Sequence, residues 1–189
     1  MPTVAASAVL QVANYPEGGR WLGPPEAYLR GQWGDRDWRN VPGPFYGART
    51  DSCWMGREIA PHHVVYEDEF GSEIVYRQPK NAGEVHLVLT AAWNDPFGGY
   101  AADGYEHWTL ELVREWWADR GRLTAWIAGV QRRWSSSERA DEQDNAVGLR
   151  DFAHYLDNGL EADLRDYGFW LDNRRPPQAH ETLPRLDRP

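Results

Sequence analysis

The sequence predicts an α+β fold, with strands gathered in the first half and helices in the second. Two β-branched and aromatic runs flank a glycine-bearing connector across residues 63–77, which is the pattern of a β-hairpin. Beyond Asn81 the apolar residues adopt helical spacing, with room for four to five helices. Strands and helices do not alternate, so a parallel, doubly wound sheet is not expected. Neither a glycine-rich dinucleotide fingerprint nor a P-loop is present.

Taken in chain order, residues 1–27 read as an irregular N-terminal segment. Residues 9–12 have strand composition, but Pro16, Gly18, Gly19, Gly23, Pro24 and Pro25 break any regular structure after them. Residues 28–172 are expected to form one α+β domain. Within it, residues 28–33 read as a short strand, 34–61 as a long structured loop or several tight turns around aromatic residues, and 63–77 as the hairpin.

Asn81 with Glu84 matches a capping box. Val85, Val88, Leu89 and Ala92 then fall on one helical face, which Asp95-Pro96 ends. Thr109 is placed to N-cap a second helix with Leu112, Val113, Trp116 and Trp117 turned inward and Gly121 as its stop. Leu123, Trp126, Ile127, Val130 and Trp134 give the clearest helical stripe. The polar run 135–145 reads as a linker or a solvated helix start. Beyond it lie two more helical stripes, Leu149 to Leu156 and Leu160 to Leu171. Residues 173–189 are expected to be a loose tail.

Composition narrows the function classes. The chain of 189 residues holds 11 Trp, 9 Tyr and 5 Phe, and its apolar fraction of 41% is enough for a sizeable core. Every basic residue except Lys80 is arginine, a bias that a high-GC bacterial genome explains. The net charge of −9 disfavours nucleic acid as a partner and suits a basic protein. Cys53 is the single cysteine, so no intramolecular disulfide or four-cysteine cluster is open to the chain. The first ten residues lack the basic start and apolar run of a signal peptide, and no stretch approaches the ~20 apolar residues of a membrane helix. A cytoplasmic protein without membrane association, metal or cofactor is expected.

Four regions carry candidate chemistry. Cys53, ten residues ahead of His63, offers the parts of a thiol–imidazole pair, although a lone cysteine is more often inert and buried. The loop between two helices at 94–108 is long for a connection. Its Asp95, Asp103, Glu106 and His107 are candidates for acid–base chemistry or for the rim of a small-ligand pocket. Asp95 is equally placed to end a helix. In the segment 33–40, Trp33, Arg36 and Trp38 are residue types that dominate binding hot spots, and Trp54 and Trp108 sit beside glycine-rich loops in the same way. Finally, nine acids and three bases lie between Glu138 and Asp166, either a solvated helical face or a steering surface.

The blocks GPFYG at 43–47, TDSCWMGR at 50–57 and DPFGGY at 95–100 are similar to those of uncharacterised actinobacterial proteins. The resemblance spans roughly residues 28–130 and implies no activity and no catalytic residue. Small acidic α+β architecture also resembles bacterial immunity proteins, an analogy of fold and charge alone. Three readings are open. The first is a non-enzymatic protein-binding module, immunity- or antitoxin-like, using aromatic and arginine loops and an acidic helical face. The second is an enzyme or small-ligand binder with its pocket at 94–108. The third is a self-associating subunit.

Overall fold

Residues 22–187 are described in a computed structural model, so the expected strand at 9–12 lies outside the described residues. The chain falls into two compact units that divide between Tyr105 and Glu106. The fold class is α+β: among the described residues there are seven α-helices and two two-stranded sheets.

The first unit holds all the strands of the described residues. The hairpin forms where expected, β2 (Val64–Tyr66) pairing antiparallel with β3 (Glu73–Val75) in the register Val65 opposite Ile74. Its tip is fixed by one side chain. The buried Glu67 carboxylate accepts the amides of Glu69 at 2.6 Å, Phe70 at 2.7 Å and Ser72 at 2.9 Å. The second sheet pairs β1 (Tyr46–Gly47) with β4 (Tyr100–Ala101). The run 28–33, expected as a strand, contributes only a bridge from Leu29 to Gly99. Short 3-10 turns at Pro25–Ala27 and Trp33–Asp35 close on it from both ends and leave no room for a longer ladder.

The helix α1 (Gly56–Ile59) packs against the long helix α2 (Ala82–Asn94). Asn81 caps α2 by accepting the Glu84 amide at 3.0 Å, and the Glu84 carboxylate accepts the Lys80 amide at 2.7 Å. Val85, Val88, Leu89 and Ala92 are buried against Tyr28, Phe45, Val64, Tyr66, Val75 and Tyr100. Burying each of the larger side chains stabilises by roughly 1.5–3 kcal/mol.

Strands this short leave many backbone groups without a ladder partner, and a buried unpaired group is costly. Asn40, fully buried, supplies the partners. Its carboxamide oxygen accepts the amides of Gly47 at 2.9 Å and Val75 at 2.8 Å. Its nitrogen donates to the carbonyls of Asp37 at 2.9 Å and Gly47 at 2.7 Å. Gln78 does the same for the loop ahead of β1, donating to Val41 and Phe45 carbonyls and accepting the Phe45 amide. β1 crosses so close to β3 that a side chain at Gly47 would collide with the Glu73 carbonyl oxygen.

The second unit is helical. After the short α3 (Gly104–His107), which straddles the boundary, come α4 (Leu110–Ala118), α5 (Arg120–Ser135), α6 (Ala140–Asn158) and α7 (Leu160–Asn173). Within this unit α5 lies along α6, and α7 packs on α4 and α6. Thr109 caps α4 as expected, accepting the Leu112 amide at 3.2 Å.

Several expectations change here. Gly121 does not stop a helix; it lies inside α5, because the break falls at Asp119, whose amide turns back to the Glu115 and Trp116 carbonyls. Leu112 is exposed, and Trp116 and Trp126 are half-buried, so only Trp117 and Trp134 of the helical tryptophans are core. Most of the polar run 135–145 is helix. Arg139 pairs with Asp141 and Glu142 in the first turn of α6, where negative charge suits the helix dipole. The segment after α7 has no regular structure, yet Leu186 is buried, and Arg114 and Arg165 bond the carbonyls of Arg185 and Pro184, both at 3.0 Å.

Replacing Asn40 with alanine is expected to leave the buried amides of Gly47 and Val75 unpaired, while the Asp37 and Gly47 carbonyls keep their backbone donors, at about 2 kcal/mol or more. Urea unfolding checks this, with the midpoint falling while the slope is unchanged.

Candidate functional site

In the first unit, three loops meet around residues 51–56. Asp95, at the C-terminus of α2, makes the first link. Its carboxylate accepts the amides of Asp51 at 3.1 Å, Phe97 at 3.0 Å and Gly99 at 2.6 Å. Burial raises its pKa, while those three donors stabilise the anion and pull the other way. Asp95 is thus the staple that ties residues 95–99 to residue 51.

The second link is the hairpin tip. Trp54 adopts a left-handed backbone with φ of 60°, a conformation that costs a bulky residue about 1–2 kcal/mol. Its ring is held in return, stacked on Tyr66 at 4.6 Å with an interplanar angle of 12°. Gly71, with φ of 76°, lies so close that a Cβ there would stand 2.7 Å from the Trp54 Nε1.

Beneath these loops is a carboxyl that is only 2% exposed, Glu73. It accepts the Gly56 amide at 2.8 Å and a short bond from the Tyr100 hydroxyl. The Glu73 amide in turn donates to the Thr50 hydroxyl at 2.7 Å. Burial pushes the Glu73 carboxyl up to about 7, and the charges of Asp51 and Asp95 add to the effect against the two donors. The neighbouring Arg57 is buried too. Its guanidinium donates to the Pro61 carbonyl at 2.6 Å and the Val64 carbonyl at 3.4 Å, and its amide to the Tyr66 hydroxyl at 2.9 Å.

Cys53 is exposed on this surface. Its amide donates to the Asp51 carboxylate at 3.0 Å. The thiol itself is held above its ordinary pKa by its hydrogen bond to that carboxylate, then by the charges of Asp51, Asp95 and Glu73. This environment favours the thiol over the nucleophilic thiolate. The expected imidazole is engaged elsewhere: His63 is buried, its Nδ1 donates to the Arg77 carbonyl at 2.9 Å, and burial lowers its pKa.

Asp103 accepts the Tyr46 hydroxyl at 2.8 Å. Glu106 and His107 belong to the second compact unit. Trp108, expected in a loop surface, is buried there instead. It stands just ahead of the α4 N-cap, and the buried Val113 occupies the matching position of a hydrophobic staple.

Residues 33–39 form a second feature of the first unit. The Arg36 guanidinium lies 3.9 Å from the Trp33 ring centre, and that of Arg39 lies 4.8 Å from Trp38. Trp33 meets Tyr46 edge-on at 5.5 Å and 84°. Asp37 binds both the amide and the guanidinium of Arg39 at 2.8 Å. Desolvation lowers the Arg36 pKa against the favourable Tyr46 and Asp37 interactions. Trp33, Arg36 and Trp38 are half-buried and the Arg39 side chain is only 12% exposed, on a backbone that Asn40 fixes from behind.

Glu73, Tyr100, Tyr66 and Asn40 are not singled out by the sequence. For Glu73 a signal exists: an acid opening the apolar, β-branched run Ile74-Val75.

Because the folded Glu73 titrates near 7 and an unperturbed one near 4.5, the native state binds the extra proton between these values. Its contribution to stability is therefore present below the lower value and lost as pH rises through the upper one. Unfolding free energies of wild type and Glu73→Gln should diverge over this window, the variant gaining on the order of a few kcal/mol relative to wild type by about pH 8. Parallel pH curves would assign the titration to another group.

No protein-family model matches the chain, and no curated protein or solved structure matches it either.

Proposed function

We propose that the chain is a non-enzymatic protein-binding module that engages its partner through Trp33, Arg36, Trp38 and Arg39. The observation that carries this reading is the pair of guanidinium–indole contacts, at 3.9 and 4.8 Å, held partly exposed on a fixed backbone. Trp and Arg are the residue types that supply most interface energy. A surface already ordered before binding loses less side-chain entropy when the partner arrives. The Asp37–Arg39 and Asp35–Arg49 pairs and the Asn40 carboxamide supply that order.

The candidate catalytic residues are occupied otherwise. Asp95 spends its oxygens on backbone amides, His63 bonds a carbonyl, and the Cys53 thiol is stabilised as a thiol. These arrangements favour binding over the enzyme or pocket reading. In the second unit, Glu138, Asp144, Asp157 and Glu161 expose negative charge on or beside α6 and α7. That face suits attraction of a basic protein, the partner class that the net charge of −9 also favours.

Affinity capture from a lysate of the source cell tests the reading. Wild type is expected to retain a partner that elutes with salt, while Trp38→Ala combined with Arg36→Ala reduces capture by more than about tenfold. Capture indifferent to both substitutions, or no partner above background, would overturn it.

A further inference from the structure

The loops around Cys53 carry a feature that the Trp33–Arg39 surface does not account for. Large apolar side chains stand out from three segments there: Phe70 is 73% exposed, Phe97 66% and Met55 43%. Phe70 directly precedes Gly71, which abuts Trp54 and Ser52. Phe97 and Asp51 donate their amides to the same Asp95 oxygen. The segment 51–55 therefore has the hairpin tip on one side and the loop 95–99 on the other. Cys53 and Ser52 are exposed along it.

The exposed charge in the segments that carry Met55 and Phe70 is negative, while the Arg30 guanidinium stands at Phe97. Of the acids in residues 51–58 and 67–73, Glu58 and Glu69 are exposed and Asp68 is half-buried, while Asp51, Glu67 and Glu73 are buried; the single base there is Arg57. That base is buried and turned to backbone carbonyls. Glu58 and Glu69 are exposed beside Met55 and Phe70 in the chain. Arg30 donates to the Phe97 carbonyl at 3.1 Å, so the cation-receiving part of the surface is the Met55 and Phe70 side, with Glu58 and Glu69.

We infer that this surface is a docking site for a basic polypeptide segment bearing apolar anchors, with Phe70, Phe97 and Met55 receiving the anchors and Glu58 and Glu69 the cations. Exposed apolar side chains grouped on tied loops favour association. Complementary charge then selects a basic occupant and repels an acidic one. The inference rests on the reading of the chain as a binding module, but on different residues, so the two fail separately.

Cys53, as the single cysteine, reports on the surface directly. The full chain is labelled with a maleimide in the presence and absence of a synthetic peptide of alternating arginine and leucine. Two control peptides carry serine for leucine or glutamate for arginine. The arginine–leucine peptide is expected to slow labelling by about tenfold at saturation, and neither control should do so. Phe70→Ala with Phe97→Ala should weaken peptide binding by about tenfold or more. Glu58→Gln with Glu69→Gln should flatten its salt dependence. Trp38→Ala should leave it unchanged. These positions are exposed or half-exposed, and circular dichroism verifies that each variant folds. Unprotected Cys53, equal protection by either control peptide, or full binding by the Phe70/Phe97 variant would each overturn the proposal.

Discussion

The carboxamide of Asn40 reaches three stretches of backbone at once, residues 37, 47 and 75, and uses both its donor and its acceptor capacity in doing so. The first unit depends on interactions of this type. Its strands are two or three residues long, far too short for ladders to pair the backbone they bury. Polar side chains take over that role: Gln78 for the loop at 41–45, Glu67 for the hairpin tip, Asp95 for the loop at 97–99, and Glu73 for the start of α1. Each is satisfied where it stands, which is the condition for a buried polar network to stabilise rather than disrupt.

This manner of construction determines what the surface can display. Loops fixed by buried side chains hold their exposed residues in place, so Trp33 and Trp38 are ordered with their arginines before any partner arrives. The left-handed backbone at Trp54 is tolerated because Tyr66 and Gly71 clasp its ring. A frame that uses carboxylates as buried connectors also takes them out of water, and Glu73 bears that cost as a raised pKa. The abundance of arginine gains a structural use as well. Arg36, Arg39, Arg120, Arg133 and Arg174 each lie over a tryptophan ring, whatever genomic bias supplied them.

The regular parts of the fold were legible in the sequence because periodicity and capping are local signals. The 63–77 hairpin, the Asn81 and Thr109 caps and the helical stripes through Leu89, Ile127 and Leu164 are all matters of spacing. The connectors were not legible. Asn40, Gln78 and Glu73 are ordinary polar residues in sequence, and their importance comes from backbone brought to them across 33 or more residues in the cases of Val75 and Phe45. Asp95 was legible as a helix stop, but its hold on residue 51 was not. Of the four loop tryptophans set apart by the absence of a helical period, Trp33, Trp38 and Trp54 are half-buried, no more exposed in class than Trp116 and Trp126 of the helices. Trp108 is buried, since it belongs to the cap of α4 rather than to the loop before it.

Native-state hydrogen exchange tests most directly whether side chains hold the first unit together. The amides of Phe45, Gly47, Gly56, Val75 and Gly99 have side-chain acceptors on Gln78, Asn40, Glu73, Asn40 and Asp95. They should be protected to within about tenfold of the β2–β3 ladder amides, opening only with the unit as a whole. Exchange of these five at the rate of free loop amides, with the ladder still protected, would contradict the account.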